Sequence, residues 1–298
     1  MRFQFTKYRK FYYGFSLFIA LFSLLAVIFL GLVSGIEFVG GSVLEVEYEE
    51  ERPSLEDVRL MVGQLGLREA NVQPLGETGF LIRTESADEE VHRKIMNVLE
   101  GAKEVQFESI GPTVGEELRR MSIIAILVAS LLVVIYIMVS FKEEDGSISS
   151  TKYGLIATGV AFLHDVLIVL GVFAVLGYFY GVQVTIPIAV ALLTTIGYSI
   201  NDTVVIFDRI RENLRRNKSG RDSLEKVVNN SLNETLGRSV GTSVTTLFVL
   251  LSLLFFGGVA LHYFVLALII GIIIGTYSSI FLAGCLVLDW NSLTKKLK

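Results

Sequence analysis

Residues 197–213 read GYSINDTVVIFDRIREN. The stretch starts inside a long apolar run and ends in dense charge, with Asp202 at the boundary between Asn201 and Thr203. An ionisable residue in an apolar span costs about 2.5–3.5 kcal/mol at a helix centre on insertion scales, and less towards the ends. A lone carboxylate in that position marks a candidate functional site. The rest of the chain must supply its surroundings.

Upstream, Asp165 is the only charged residue between 153 and 201, and His164 precedes it. At 1.5 Å per residue, about 20 residues cross a 30 Å hydrocarbon layer, so this run holds two helices. The aromatic stretch Tyr178-Phe179-Tyr180-Gly181 divides it into spans over 153–178 and 184–207. Downstream, 239–288 carries no charge over 50 positions and holds two more spans, turning at Gly257-Gly258. Residues 11–36 and 121–141 are also free of charge. The first of these follows Arg2, Lys7, Arg9 and Lys10 and exceeds the apolar region of a signal peptide. No A-x-A pattern follows it, so it reads as an uncleaved span. Six spans agree with 52% hydrophobic residues and a mean hydropathy of +0.60, values that suit a polytopic membrane protein. The single cysteine, Cys285, excludes a disulfide framework or a cysteine metal site.

Residues 35–120 stand apart as an α+β domain. Ser42–Tyr48 alternates like a strand. Ser54 caps a helix whose apolar face is Leu55, Val58, Met61, Val62 and Leu65. Arg68–Leu75 and Gly79–Thr84 read as strands about a Gly76–Gly79 turn, Ser86–Glu100 as a second helix, and Lys103–Ile110 as the last strand. The order βαββαβ suggests a ferredoxin-like split βαβ sandwich. His92 lies among charges and reads as a solvated residue. The expected layout is a cytoplasmic N-terminus (1–10), a first transmembrane helix (11–34), the domain (35–120), five helices (121–288) with a cytoplasmic loop at 208–238, and a cytoplasmic tail (289–298).

Charge orients this layout. Residues 34–120 hold 19 acidic and 9 basic residues, a net of −10, and the remainder carries a net of +6. The basic N-terminus, the 208–238 loop and the Lys295, Lys296, Lys298 tail fall on one side of a six-span protein. By the positive-inside pattern both termini are cytoplasmic and residues 35–120 lie outside the cell membrane.

The candidates for chemistry lie within the spans. Ala191, Thr195, Ser199 and Asp202 share a face at helical spacing, a small and polar stripe suited to close helix packing. Span five opens with Arg238, Thr242 and Thr245 on one face, thickened by Ser239, Ser243 and Thr246. An Asp202–Arg238 pair is geometrically plausible. Burial favours the protonated carboxyl and a nearby guanidinium the ionised one, so conformation could switch its proton affinity. A fixed ion pair that aligns two helices fits the same residues. Asp165 and His164 form a third polar feature, either functional or a satisfied interhelical hydrogen bond. Asp208 and Arg209 sit at the water boundary, where they cap the helix and set its depth. The run VVNNSLNETLGRS, 227–239, reads as a short amphipathic helix along the membrane surface. No phosphate loop, nucleophile elbow or H-E-x-x-H is present. We therefore expect no enzyme, no cofactor, no metal and no nucleic-acid partner.

GYSINDTVVIFDRIREN (197–213) followed by NNSLNETLGRSVGTSVTTL (229–247) closely resembles the SecD/SecF family of protein-export membrane subunits, on its SecF side. HDVLIVLGVFAVLG (164–177) fits the family's third span, and IGPTVGEELR (110–119) the lead into the second. GIEFVGG (35–41) resembles the family's G-I-D-F-x-G-G, with Glu37 for the usual Asp. The resemblance implies a six-span unit of the resistance–nodulation–division superfamily, paired with a six-span SecD. It implies association with the SecY channel and use of the proton gradient to promote export of a translocating polypeptide. The family's membrane Asp falls on Asp202 and its membrane Arg on Arg238. A superfamily exporter half for small apolar molecules, or a scaffold that only stabilises SecD, are the rival readings.

Overall fold

Charge-free runs become helices. The structure, a computed structural model, describes residues 3–49, 51–67, 70–85, 88–140, 159–217 and 221–289. Among these, six helices are long and apolar enough to cross a membrane: Phe5–Leu30, Pro112–Tyr136, Leu163–Tyr180, Ile186–Arg216, Leu224–Phe256 and Leu261–Asp289. The chain is a multi-pass membrane protein with a small antiparallel sheet. It divides into two compact units, one drawn from residues 32–125 and 177–186, the other from the remainder.

The helical unit contains α1 (Arg9–Leu30) and, further along the chain, α6 (Leu167–Tyr180), α7 (Ile186–Arg216), α8 (Leu224–Phe256) and α9 (Val259–Tyr277). Two π-helical segments adjoin them. Gly159–Val166 leads into α6, and Ser278–Ala283 continues α9. Apolar side chains such as Phe18, Phe29, Phe248 and Phe256 are exposed, as a hydrocarbon solvent permits. Tight packing instead uses small residues. Any Cβ at Gly171 would overlap Ser23, one at Gly271 would overlap Thr195, and one at Gly275 would press on Ser199.

The polar stretch 208–238 is not a loop. α7 runs on to Arg216, and α8 starts at Leu224 with Ser223 as N-cap, accepting from the Lys226 N–H. Ile206, Phe207 and Ile210 on α7 and Val227, Val228 and Leu232 on α8 are all buried. These apolar residues recur at helical spacing and carry the two helices past the charge boundary as a hairpin. The stretch 227–239 is accordingly the interior of α8, not a separate surface helix. The N-terminal segment docks here as well. Asn233 Nδ2 donates to the Phe3 carbonyl at 2.8 Å, and Arg9 pairs with Glu225 at 3.1 Å and with Asp289 at 3.2 Å.

The second unit carries the sheet. β1 (Gly41–Tyr48), α3 (Leu55–Gln64), β2 (Asn71–Leu75), β3 (Gly79–Thr84), α4 (Glu89–Val98) and β4 (Ala102–Ile110) follow in sequence. The strands lie in the order β2-β3-β1-β4, each pair antiparallel. Val46, Val58, Val62, Val72, Phe80, Ile82, Ile95 and Leu99 fill one core. α4 is shorter than its periodicity suggests, because Asp88 caps it by accepting from the Glu90 N–H. His92 is not simply solvated. Its ring stacks on Phe107 at 4.0 Å and its Nε2 meets Glu104 at 2.9 Å, because α4 lays it across the end of β4.

Before β1 the chain forms a strap, including the one-turn α2 (Ile36–Val39). After β4, α5 (Pro112–Ser140) begins directly at Pro112, earlier than the first charge-free residue, since proline suits a first helical position. The turn ahead of α7 belongs to this unit. Gly35 N–H donates to the Val184 carbonyl at 2.8 Å and Val184 N–H to Val33 at 2.7 Å. Gln73 of β2 donates to the Tyr180 and Gly181 carbonyls at 3.2 and 3.0 Å. Gly181 has φ +67°, and Gln73 occupies the space a Cβ there would need. The Ile186 N–H, the first of α7, faces the Glu37 carboxylate, a favourable place for negative charge at a helix N-terminus.

Candidate functional site

α7 holds four buried polar residues on its inner side, Thr195, Ser199, Asp202 and Thr203. They do not share one partner. Ser199 points to the first π-helical segment, where its hydroxyl donates to Asp165 Oδ2 at 2.5 Å. Ser278, in the second π-helical segment, donates to the same oxygen at 2.9 Å. The other oxygen, Oδ1, lies 2.8 Å from His164 Nδ1. Asp165 is 0% exposed, so three partners offset the cost of burying it. One turn further along α7, the Thr203 and Ser279 hydroxyls meet at 2.8 Å, and Ser279 donates to the Ser199 carbonyl at 2.9 Å.

Asp202 turns towards α8. It is 4% exposed, its Oδ2 has no hydrogen-bond partner among the described residues, and its polar neighbours are Ser239 and Arg238. The Ser239 hydroxyl faces it but falls short of a hydrogen bond and is itself unpaired. Among the described residues Asp202 and Arg238 make no ion pair within 4.0 Å, and Arg238 is exposed. Buried polar groups are nearly always paired in native proteins, so the unpaired Asp202 oxygen is one of a few exceptions among the described residues.

The face of α8 is rotated from the expected one. Thr242 and Thr245 are exposed and donate only to carbonyls of their own helix. The buried stripe is Ser231, Thr235, Ser239 and Ser243. Ser243 reaches Thr276 of α9 at 2.6 Å. Asn201 is exposed and lines an apolar cleft between α7 and Leu132, Val133 and Tyr136 of α5. Thr195 is buried with its hydroxyl unpaired. Asp208 and Arg209 cap nothing, since α7 continues beyond them. Asp208 pairs with Arg211 at 3.0 Å, and Arg209 clasps Glu234 of α8 at 2.6 Å and Glu212 at 2.5 Å. These charges line a cleft between α7 and α8 that ends at Arg238.

Sequence reasoning passed over Ser278 and Ser279, which complete the Asp165 cluster. The signal was there in TYSS, 276–279, four hydroxyl residues in a row within an apolar span.

A family profile for "Protein export membrane protein SecD/SecF, C-terminal" matches residues 90–293. The protein translocase subunit SecF of Thermobaculum terrenum is 41% identical over 303 aligned positions, covering 96% of this chain and 93% of that protein. The SecF subunit of Vibrio alginolyticus is 35% identical, covering 95% of this chain and 88% of its own length. The crystal structure of SecDF, a translocon-associated membrane protein from Thermus thermophilus, superposes with a TM-score of 0.86 at 34% identity over 98% of this chain. A super-membrane-facing form of SecDF superposes at 0.71 with 33% identity over the whole chain. This chain spans 39% of the first SecDF chain and 40% of the second. With its six apolar helices and its match over nearly the full length of the SecF subunits, the chain belongs to the SecD/SecF family of protein-export membrane proteins.

Proposed function

We propose that this chain is the SecF-type auxiliary subunit of a Sec protein translocase, and that with SecD it uses the proton motive force to promote polypeptide export through the SecY channel. The observation that carries the coupling reading is Asp202, buried at 4% exposure with one carboxyl oxygen unpaired beside an exposed Arg238. Protonation removes the cost of the unpaired charge, and ionisation draws the guanidinium inward. The two protonation states therefore prefer different positions of α7 against α8, which a coupled transport cycle requires.

The exposed polar positions on this part of the bundle support a partner. Asn201, Arg238, Thr242 and Thr245 face outward at the depth of apolar spans, where a second six-span bundle would cover them. SecD is the partner this fits, and a further intramembrane carboxylate would come from that chain. The segregation of charge supports a plasma-membrane protein with cytoplasmic termini and an outer domain over 35–120. The strand order β2-β3-β1-β4 supports a ferredoxin-like class for that domain. α7 starts at the turn that Gln73 and the strap hold.

The test is proton flux in liposomes holding this chain and its co-purified partner, wild type against Asp202→Asn. Flux in the wild type and none in the variant is the expected result. Equal flux makes the carboxylate structural and leaves the scaffold reading.

A further inference from the structure

The Asp165 cluster is a second site, separate from Asp202. Its carboxyl is enclosed by residues from two π-helical segments and α7. π-helical turns are rare and frequent at functional sites. Here the two such segments found among the described residues meet at one carboxyl. His164 is 8% exposed, and its Nε2 is buried without a partner. Whichever nitrogen carries the proton, that end of the ring is left unsatisfied, as a donor or as an acceptor.

From this geometry we infer that Asp165 and His164 form a proton-exchange dyad, loaded at His164 Nε2 and read out by Ser199. The ligand is a proton delivered by water. Arrival at Nε2 makes an imidazolium. The Nδ1–H then passes to Asp165 Oδ1, leaving a neutral carboxylic acid and a neutral imidazole protonated at Nε2. One proton enters and none is lost, and the reverse sequence discharges it. The ionised carboxylate holds the Ser199 and Ser278 hydroxyls strongly; the neutral acid holds them less. A released Ser199 hydroxyl can turn to a carbonyl one turn back along α7, as helical serines do. The joint it leaves is a close one, where a Cβ at Gly271 or Gly275 of α9 would press on Thr195 or Ser199. The dyad's charge therefore sets how firmly α7 grips α9.

No other charged side chain among the described residues acts on the Asp165 carboxyl. From α7 it faces Ser199, and from the second π-helical segment Ser278. Tyr277 stacks on His164 with ring centroids 6.4 Å apart, and its hydroxyl is held by Ser16 at 3.1 Å and the Tyr12 carbonyl at 3.2 Å, both on α1. The inference deepens the proton-coupled reading and rests on it for the source of the proton.

Infrared difference spectroscopy of the purified full chain tests it without transport. The wild type should show a carboxylic-acid C=O band that titrates with pH. The band should vanish in Asp165→Asn, persist in Asp202→Asn and shift its midpoint in His164→Gln. Retention of every titrating carboxyl band in Asp165→Asn, or an unmoved midpoint in His164→Gln, overturns the dyad. Should Asp165→Asn not fold, the His164→Gln midpoint alone decides. Wild-type flux in Asp202→Asn would sink the coupling reading while leaving the infrared result unchanged, so the two failures are distinguishable.

Discussion

Glu37 shows how one residue can be tested apart from the membrane. Burial holds its carboxyl above the ordinary value. Its own backbone N–H, the Ile186 N–H and Arg83 pull it down, while Glu108 adds to the rise. The folded chain then binds this proton more tightly than the unfolded chain, so the group's contribution to stability is full on the acid side and is lost as pH rises through the raised pKa. Glu37→Gln removes that dependence. Thermal unfolding at a series of pH values should show the variant gaining on the wild type as pH increases; a constant offset would count against the burial. At Gly271 the expectation is steric. Gly271→Ala forces a methyl into Thr195, an overpacking that costs about 1–3 kcal/mol. Gly237→Ala on α8 meets nothing within 4 Å and should be neutral or gain about 0.5–1 kcal/mol in helix propensity. Melting of the two purified variants compares them directly.

Helices α7 and α8 raise a question of face. Ser243 bonds across to Thr276, whereas Thr242 bonds only its own helix. Ser243→Ala should therefore lower the stability of the isolated chain by roughly 0.5–1.5 kcal/mol. Thr242→Ala should leave it unchanged and weaken co-purification of the partner bundle. The opposite ranking would place the partner on the other face. The sequence made both residues visible but not their direction. A polar stripe at helical spacing was legible at Thr195, Ser199 and Asp202, because charge is rare in a span. On α8, Arg238 drew the reading to its own face, while the buried stripe lies one residue on, at Ser239 and Ser243. In a membrane both faces are apolar, so hydropathy carries little information about which one is inside. The strands of the sheet were easier to place, because water selects their alternation. The length of the α7–α8 hairpin was hidden because its core is a few buried apolar residues, such as Ile210 and Val228, inside a strongly charged run.

At the scale of the whole molecule, the turn at Gly181 joins the start of α7 to β2. Gly181→Ala must both hold a left-handed φ, at about 1–2 kcal/mol, and displace Gln73. Proteoliposomes with this variant should pass protons with Asp202 intact yet promote export poorly. Unchanged export would show that the turn transmits nothing. The two π-helical segments carry a last consequence. A π turn holds one residue more than the α turn it replaces, and in an α-helix one residue is worth about 100° of rotation and 1.5 Å of rise. Were Ser278–Ala283 to relax into regular α geometry, everything after it would be out of phase by that amount. Asp289, which now meets Arg9 and Tyr13, would swing off them. Ser278 and Asp289 therefore keep their partners only while the extra residue stays in place, so the buried carboxyl and the clasp on the N-terminal segment share one mechanical phase: the first cannot slip without the second letting go.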